Sequence, residues 1–248
     1  MSPNRKEPEV PAAKPRAARN IALLIDADNA SPANLEAALT ILGDLGSVNV
    51  RRVYGNWSKV SLKGWSKLVL RHALEPQQQF DVTKGKNATD MKMTIDAMDL
   101  LYGGHIDGFG LMTSDSDFMP LAIRIRQNGT PVYGFGTSRT PEAFREACTR
   151  FIDLDTLPDA DADDNAAPSS APPPLDADLV KLIGEAWKAS KRDEGGFASL
   201  SEVGQRVANR SSFDARSYGF SRLSELVQTL PNFATEKRES GLFLKRMR

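Results

Sequence analysis

The sequence predicts an α/β domain built on a mostly parallel sheet with helices over both faces, followed by a small winged helix-turn-helix domain. Three observations lead there. From residue 20 to 154, short apolar runs alternate with helix-like segments, the order that a parallel sheet with crossover helices requires. Residues 155–175 are dominated by Asp, Pro, Ala and Ser, a composition that cannot bury enough apolar area to offset the entropy of ordering. Beyond them come three helical segments and a closing hairpin. A chain of 248 residues has room for two domains. The expected division is a disordered basic tail over 1–19, the α/β domain over 20–154, an acidic linker over 155–175 and the small domain over 176–248.

Taken in order, Ile21-Ala22-Leu23-Leu24-Ile25 is an apolar run closed by Asp26, hence a strand, and Ser31-Pro32 is an N-cap followed by proline at the first helical position. The alternation repeats with a strand near 48–54 and a helix near 61–73, then a strand near 79–82 and a helix near 88–102. A strand over 107–113, a helix over 117–128 and a strand over 131–135 follow, and a short helix from Pro141 leads to a last strand near Phe151-Ile152. Strands this apolar belong to a sheet covered on both sides. In the small domain Leu179, Leu182, Ile183, Ala186 and Trp187 form one helical face. Ser199 and Glu202 have the spacing of a capping box. Leu223–Leu230 reads as a third helix, and Phe233–Glu236 with Gly241–Leu244 as a hairpin.

Composition removes several classes of function. One cysteine, Cys148, cannot close an internal disulfide, and with only His72 and His105 beside it a structural zinc site lacks ligands. No run approaches the roughly 18 apolar residues of a spanning helix, and the first twenty residues carry proline and charge instead of a signal's apolar stretch. A soluble, cytoplasmic protein without a membrane partner is expected. Charge is balanced overall, 32 basic against 32 acidic residues, but unevenly placed. Residues 179–248 hold thirteen basic and eight acidic side chains, which suits either a polyanion partner or a plain solubilising surface.

The acids of the first domain are more telling. Asp26 ends the first strand, Asp115 and Asp117 follow the strand that ends at Met112, and Asp90 lies in the first turn of the helix near 88–102. Sheets of this kind bind ligands beyond the carboxyl ends of their strands, and all four acids fall at that edge. Crowded carboxylates repel unless a cation sits among them, and hard divalent cations take oxygen ligands and activate water against phosphate. A metal-dependent phosphodiesterase site follows. Asp90 and Asp117 also fit as helix N-caps, whereas Asp26 stands five residues before a better cap at Ser31. Asp96 lies about 240° round the helix from Asp90 and should face elsewhere, which leaves it a secondary candidate.

The segments Ile25-Asp26-Ala27-Asp28-Asn29, Lys86-Asn87-Ala88-Thr89-Asp90 and Thr113-Ser114-Asp115-Ser116-Asp117-Phe118 resemble the NYN domains of the PIN-like nuclease superfamily, in particular the LabA-like group, over about residues 20–154. The resemblance implies a doubly wound, mostly parallel α/β fold and a metal-dependent ribonuclease, with Asp26, Asp90, Asp115 and Asp117 as catalytic residues holding Mg²⁺ or Mn²⁺. Asn29 and Ser114 would complete the site. By position, Lys84 and Lys86 just before Asp90 suit either an approaching phosphate or plain solvated loop charge. Arg51, Arg52 and Lys59 beside Trp57 suit an extension of that track less well than ordinary packing, since Trp is usually well buried. The central motif departs from the Lys-Gly-x-Asp of relatives. Leu200-Ser201-Glu202-Val203-Gly204, Phe213, Tyr218-Gly219, Leu223, Leu226 and Phe233 resemble an OST-HTH (LOTUS) domain, which implies binding to RNA or to a protein partner. Lys237, Arg238, Lys245 and Arg246 on the wing would contact nucleic acid, and the flexible linker would keep that RNA near the pocket. The alternatives are a non-catalytic RNA-binding regulator and a phosphatase of the haloacid dehalogenase type, suggested by Asp26-Ala27-Asp28. Against the phosphatase stand Ala30 and the helix already begun at Ser31-Pro32. Oligomeric state is open.

Overall fold

The computed structural model describes residues 19–80, 87–157 and 177–247. The first domain is a sheet of six strands, β1 (Asn20–Asp26), β2 (Ser47–Gly55), β3 (Glu75–Gln78), β4 (Gly108–Met112), β5 (Val132–Gly136) and β6 (Arg150–Asp153). They lie in the order β3-β2-β1-β4-β5-β6 and every neighbouring pair is parallel. The helices are α1 (Leu35–Gly43), α2 (Trp65–Arg71), α3 (Ala88–Tyr102), α4 (Met119–Gln127) and α5 (Glu142–Ala147).

Side chains alternate across a strand, and β1 shows how this splits the core. Ile21, Leu23 and Ile25 pack with Leu35, Ala38 and Leu42 of α1 and Trp65 of α2, while Ala22 and Leu24 face Met93 and Ala97 of α3 and Leu121 and Ile125 of α4. Both faces of β1 are fully buried, so each Leu or Ile contributes about 1.5–3 kcal/mol. The chain runs outward through β2 and β3, returns by α3 over the opposite face, and resumes at β4 beside β1. This reversal is the switch point at which doubly wound sheets bind ligands, and it lies between the ends of β1 and β4.

One strand is displaced from its expected place. The sequence points to 79–82, but β3 occupies Glu75–Gln78 and pairs Arg52 with Glu75 through Gly55 with Gln78. Ala73 adopts a left-handed φ of 49°, which ends α2 abruptly and returns the chain to the sheet early. Pro76 is tolerated because β3 is an edge strand.

The second domain has its own core, made by α6 (Ala177–Ala189), α7 (Leu200–Ala208) and α8 (Leu223–Thr229) against a sheet β7-β9-β8. Here β7 is Ala198–Ser199, and the wing is the hairpin β8 (Phe233–Arg238) and β9 (Gly241–Arg246), turned at Gly241 with φ 126°. The capping box does not form. Ser199 belongs to β7 and pairs with Phe243, and Glu202 instead accepts from the Arg206 guanidinium and the Lys191 backbone N–H. Among the described residues no helix is long and apolar enough to cross a membrane.

Two other expectations change. Asp155, assigned to the linker by composition, accepts hydrogen bonds from Ser138 N–H and Oγ and so belongs to the first domain. The second domain does not hang from a tether, because Ser212, Arg216 and Ser217 rest against β6, α5 and Asp44.

Candidate active site

Three strand-helix junctions bring their side chains to the switch point. Asp26 closes β1, Asp115 caps and Asp117 lies within the single 3-10 turn between β4 and α4, and Asp90 lies in the first turn of α3. A chain of hydrogen bonds joins the junctions. Thr113 Oγ1 donates to Asp26 Oδ2 at 2.8 Å and accepts from Asp115 N–H at 3.1 Å. Asp115 Oδ1 accepts from Asp117 N–H at 2.9 Å, and Asp117 Oδ2 accepts from Asn87 Nδ2 at 2.8 Å, three residues before Asp90. Asp115 is therefore a true cap, as its residue type allows, and still stands at the site.

Burial divides the acids. Asp26 is fully buried, Asp90 and Asp115 are half-buried, and Asp117 is exposed. Burial pushes the Asp26 carboxyl above its ordinary range, against the hydrogen bonds from Asn29 (2.9 Å), Thr113 and the Asp28 N–H that favour its anion. Asp90 is raised to about 6, first by burial and then by the charges of Asp26, Asp115, Asp117 and Asp28. Asp90 thus senses every other acid of the expected set, as follows where like charges gather. Among the described residues, no three Asp, Glu, His or Cys side chains stand close enough to hold one ion together.

The remaining expected residues scatter. Asn29 serves the site by fixing Asp26, whereas Ser114 Oγ turns to the end of β5 and accepts from Thr137 N–H at 3.3 Å. Lys84 and Lys86 lie outside the described residues. The proposed phosphate track is not free. Arg51 donates to the backbone carbonyls of Val48 and His72, Arg52 pairs with Glu75 and Asp96, and Lys59 pairs with Asp28. Trp57 is half-buried and donates from its indole to the Gln77 carbonyl, so it packs instead of offering a free face. On the wing, Lys237 is exposed, but Arg238 is held by Asp193 at 2.6 Å and Glu236 at 2.7 Å and lies over the rings of Phe197 and Phe243. Lys245 lies over Phe197 from the other strand. Arg246 packs on α6 at Gly184, where a Cβ would fall 2.6 Å from its guanidinium.

Sequence reasoning passed over Thr113 and Asn87 as ligand-side groups, although both lie inside the quoted motifs. The signal for Thr113 is a hydroxyl at the end of a wholly buried strand, where it must bond to something. Thr113→Val is expected to destabilise the fold by about 1–3 kcal/mol, because the buried Asp26 carboxylate and the Asp115 N–H both lose a partner, while Thr113→Ser restores most of it. Urea unfolding of the two variants measures this, and equal stability for Val and wild type would remove Thr113 from the network.

Residues 20–155 match the family model described as NYN domain, and residues 172–244 match the OST-HTH/LOTUS domain. The uncharacterized protein MJ0482 of Methanocaldococcus jannaschii is 27% identical over 129 residues, 50% of this chain and 50% of that protein, so the match spans half the length of the curated relative. A protein of unknown function from Vibrio parahaemolyticus, VPA0982, superposes with a TM-score of 0.47 at 18% identity, covering 57% of this chain and 96% of that one.

Proposed function

The chain belongs to the NYN domain family of PIN-like nucleases and carries an OST-HTH/LOTUS domain behind it, and from that premise we propose that it is a divalent-metal-dependent ribonuclease that hydrolyses RNA phosphodiester bonds. What supports the reading is that Asp26, Asp90, Asp115 and Asp117 come from three junctions at the carboxyl edge of the sheet, near enough for the other three to raise the Asp90 pKa, although among the described residues they do not form a three-donor cluster. The donors are all carboxylate oxygens, which suit Mg²⁺ or Mn²⁺, and the charge felt by Asp90 is what such a cation relieves. A bound ion supplies Lewis acidity toward the phosphate and a water of lowered pKa.

The chain's own residues supply position and charge. Thr113 and Asn29 hold Asp26 in a single orientation, and Asp115 and Asn87 hold Asp117 at the mouth. Lys237 and its neighbours on the C-terminal domain, which carries an excess of basic residues, would draw in RNA, with affinity falling as salt rises. A protein partner is the other ligand that this domain family suggests.

A second reading, a non-catalytic RNA-binding regulator, is favoured by the lack of a preformed three-donor group among the described residues. Incubation with labelled single-stranded RNA and matched DNA in Mg²⁺, Mn²⁺ or EDTA separates the two. Metal-dependent cleavage of RNA supports the nuclease, while RNA binding without cleavage or divalent-ion binding leaves the regulator.

Acidity gives an independent check. Divalent affinity is expected to fall about tenfold for each pH unit below the Asp90 pKa of about 6, as a proton competes for the site. Stability of the metal-free protein runs the opposite way. Because the folded pKa lies above the ordinary 3.8, the contribution is complete below 3.8 and is lost as pH rises through about 6. Asp90→Asn should flatten both dependences in Mn²⁺ titration calorimetry and in thermal melts, and unchanged profiles would take Asp90 out of the set.

A further inference from the structure

The last strand of the sheet, β6, has β5 on one side only. An end strand leaves one row of backbone groups needing partners, and here the second domain provides them. Phe151 N–H donates to the Ser212 carbonyl at 2.8 Å, Asp153 N–H donates to Ser217 Oγ at 3.3 Å, and Ser217 Oγ donates to the Phe151 carbonyl at 3.3 Å. Around these bonds lies a ring of polar contacts. Ser212 Oγ donates to Glu146 at 3.1 Å, and Arg216 bridges Asp44 of the first domain (3.0 Å) and Asp214 of the second (3.4 Å). Arg150 approaches Asp214 at 3.8 Å. Ser212, Asp214 and Ser217 are buried although they are polar, and each has a partner on the first domain.

All of these contacts come from the segment 212–217, ahead of α8, and none from the wing. The wing therefore stays available for a ligand while its domain is seated on the sheet edge. A domain held only by its linker would sample many distances from the acidic site. We propose that docking through Arg216, Ser212 and Ser217 fixes the wing relative to the switch point, so that RNA is cut at a set offset from the element the second domain holds. Arg216 is then a positioning residue that determines where the cut falls. The proposal rests on the ribonuclease reading, and the test below reads docking and cutting separately.

The full-length protein, Arg216→Glu and Asp44→Arg are compared in two measurements, small-angle X-ray scattering and cut-site mapping. The mapping uses a long end-labelled RNA with one hairpin, and a short unstructured RNA reports the basal rate. Arg216→Glu breaks the bridge from the second domain and Asp44→Arg breaks it from the first, at an exposed site with little bearing on folding. The expected result is a docked wild type with cuts clustered at one offset from the hairpin. Both variants should show a larger radius of gyration and lose that cluster, with an unchanged rate on the short RNA. A wild type whose domains are separate in solution overturns the proposal, and so do opened variants that keep the wild-type offset. A docked wild type that cuts no RNA overturns the ribonuclease reading and the offset with it, while the docking measured by scattering stands.

Discussion

Asp115→Asn is expected to abolish metal-dependent RNA cleavage and leave the fold intact. Among the described residues the Asp115 side chain makes one hydrogen bond, accepting from Asp117 N–H, and an amide oxygen in the same position accepts it equally well. What is lost is charge. Outer-shell partners of metal ligands cost about 10–100-fold when removed, so loss of a direct ligand, the role proposed for Asp115, should cost more than about 100-fold in kcat. The variant also removes one of the charges that raise Asp90, whose pKa should drop from about 6 toward its ordinary value. Melting temperature without metal should hold or rise, and RNA binding should hold as well. Cleavage rates in Mg²⁺ and Mn²⁺, a binding assay in EDTA and a thermal melt measure the three effects. Cleavage at the wild-type rate would put Asp115 outside the chemistry, and a collapsed melt would make it structural.

This effect can be stated in advance because Asp115 belongs to the part of the molecule that the sequence makes legible. Five of the six strands and the five helices of the first domain follow the sequence pattern to within a few residues, since a strand buried on both faces has to be largely apolar. The acids at their carboxyl ends are legible for the same reason, as breaks in otherwise apolar runs. β3 was not legible in place, because Glu75-Pro76-Gln77-Gln78 is an edge strand facing mostly solvent and carries no apolar pattern. The roles of the basic residues were hidden too. Charge attracts phosphate and carboxylate alike, and only folding shows that the guanidinium of Arg52 meets Glu75 and Asp96 and that of Arg238 meets Asp193 and Glu236. Docking of the second domain was beyond reach, since Ser212 and Ser217 resemble any loop serine until an open strand edge is placed beside them.

The fold also keeps two groups of acids apart, and Asp96 separates them experimentally. It lies six residues along α3 from Asp90 on a different face of the helix, is buried, and accepts from Lys92 at 2.6 Å, Tyr54 Oη at 3.1 Å and Arg52 at 3.4 Å. Burial and the negative charge of Asp96 push the Tyr54 hydroxyl far above its usual range, so it stays a neutral donor. Asp96 is therefore balanced by two cations and a hydroxyl, whereas the charged neighbours that shift Asp90 among the described residues are acids. Asp96→Ala should strand the buried Tyr54 hydroxyl and leave Arg52 and Lys92 facing one another. Breaking a buried pair costs about 3–5 kcal/mol, and because Arg52 and Lys92 keep 25% and 36% exposure the lower end applies here. A loss of about 3 kcal/mol corresponds to roughly 6–12 °C in melting temperature for a protein of this size. Asp96→Asn keeps an acceptor for Tyr54 and should lose less than half as much. Below the new melting temperature both variants should cleave RNA at the wild-type rate with the wild-type metal requirement. A stable Asp96→Ala protein without activity would instead move Asp96 into the metal set and reverse the division between the acids that hold the fold and those that act on RNA.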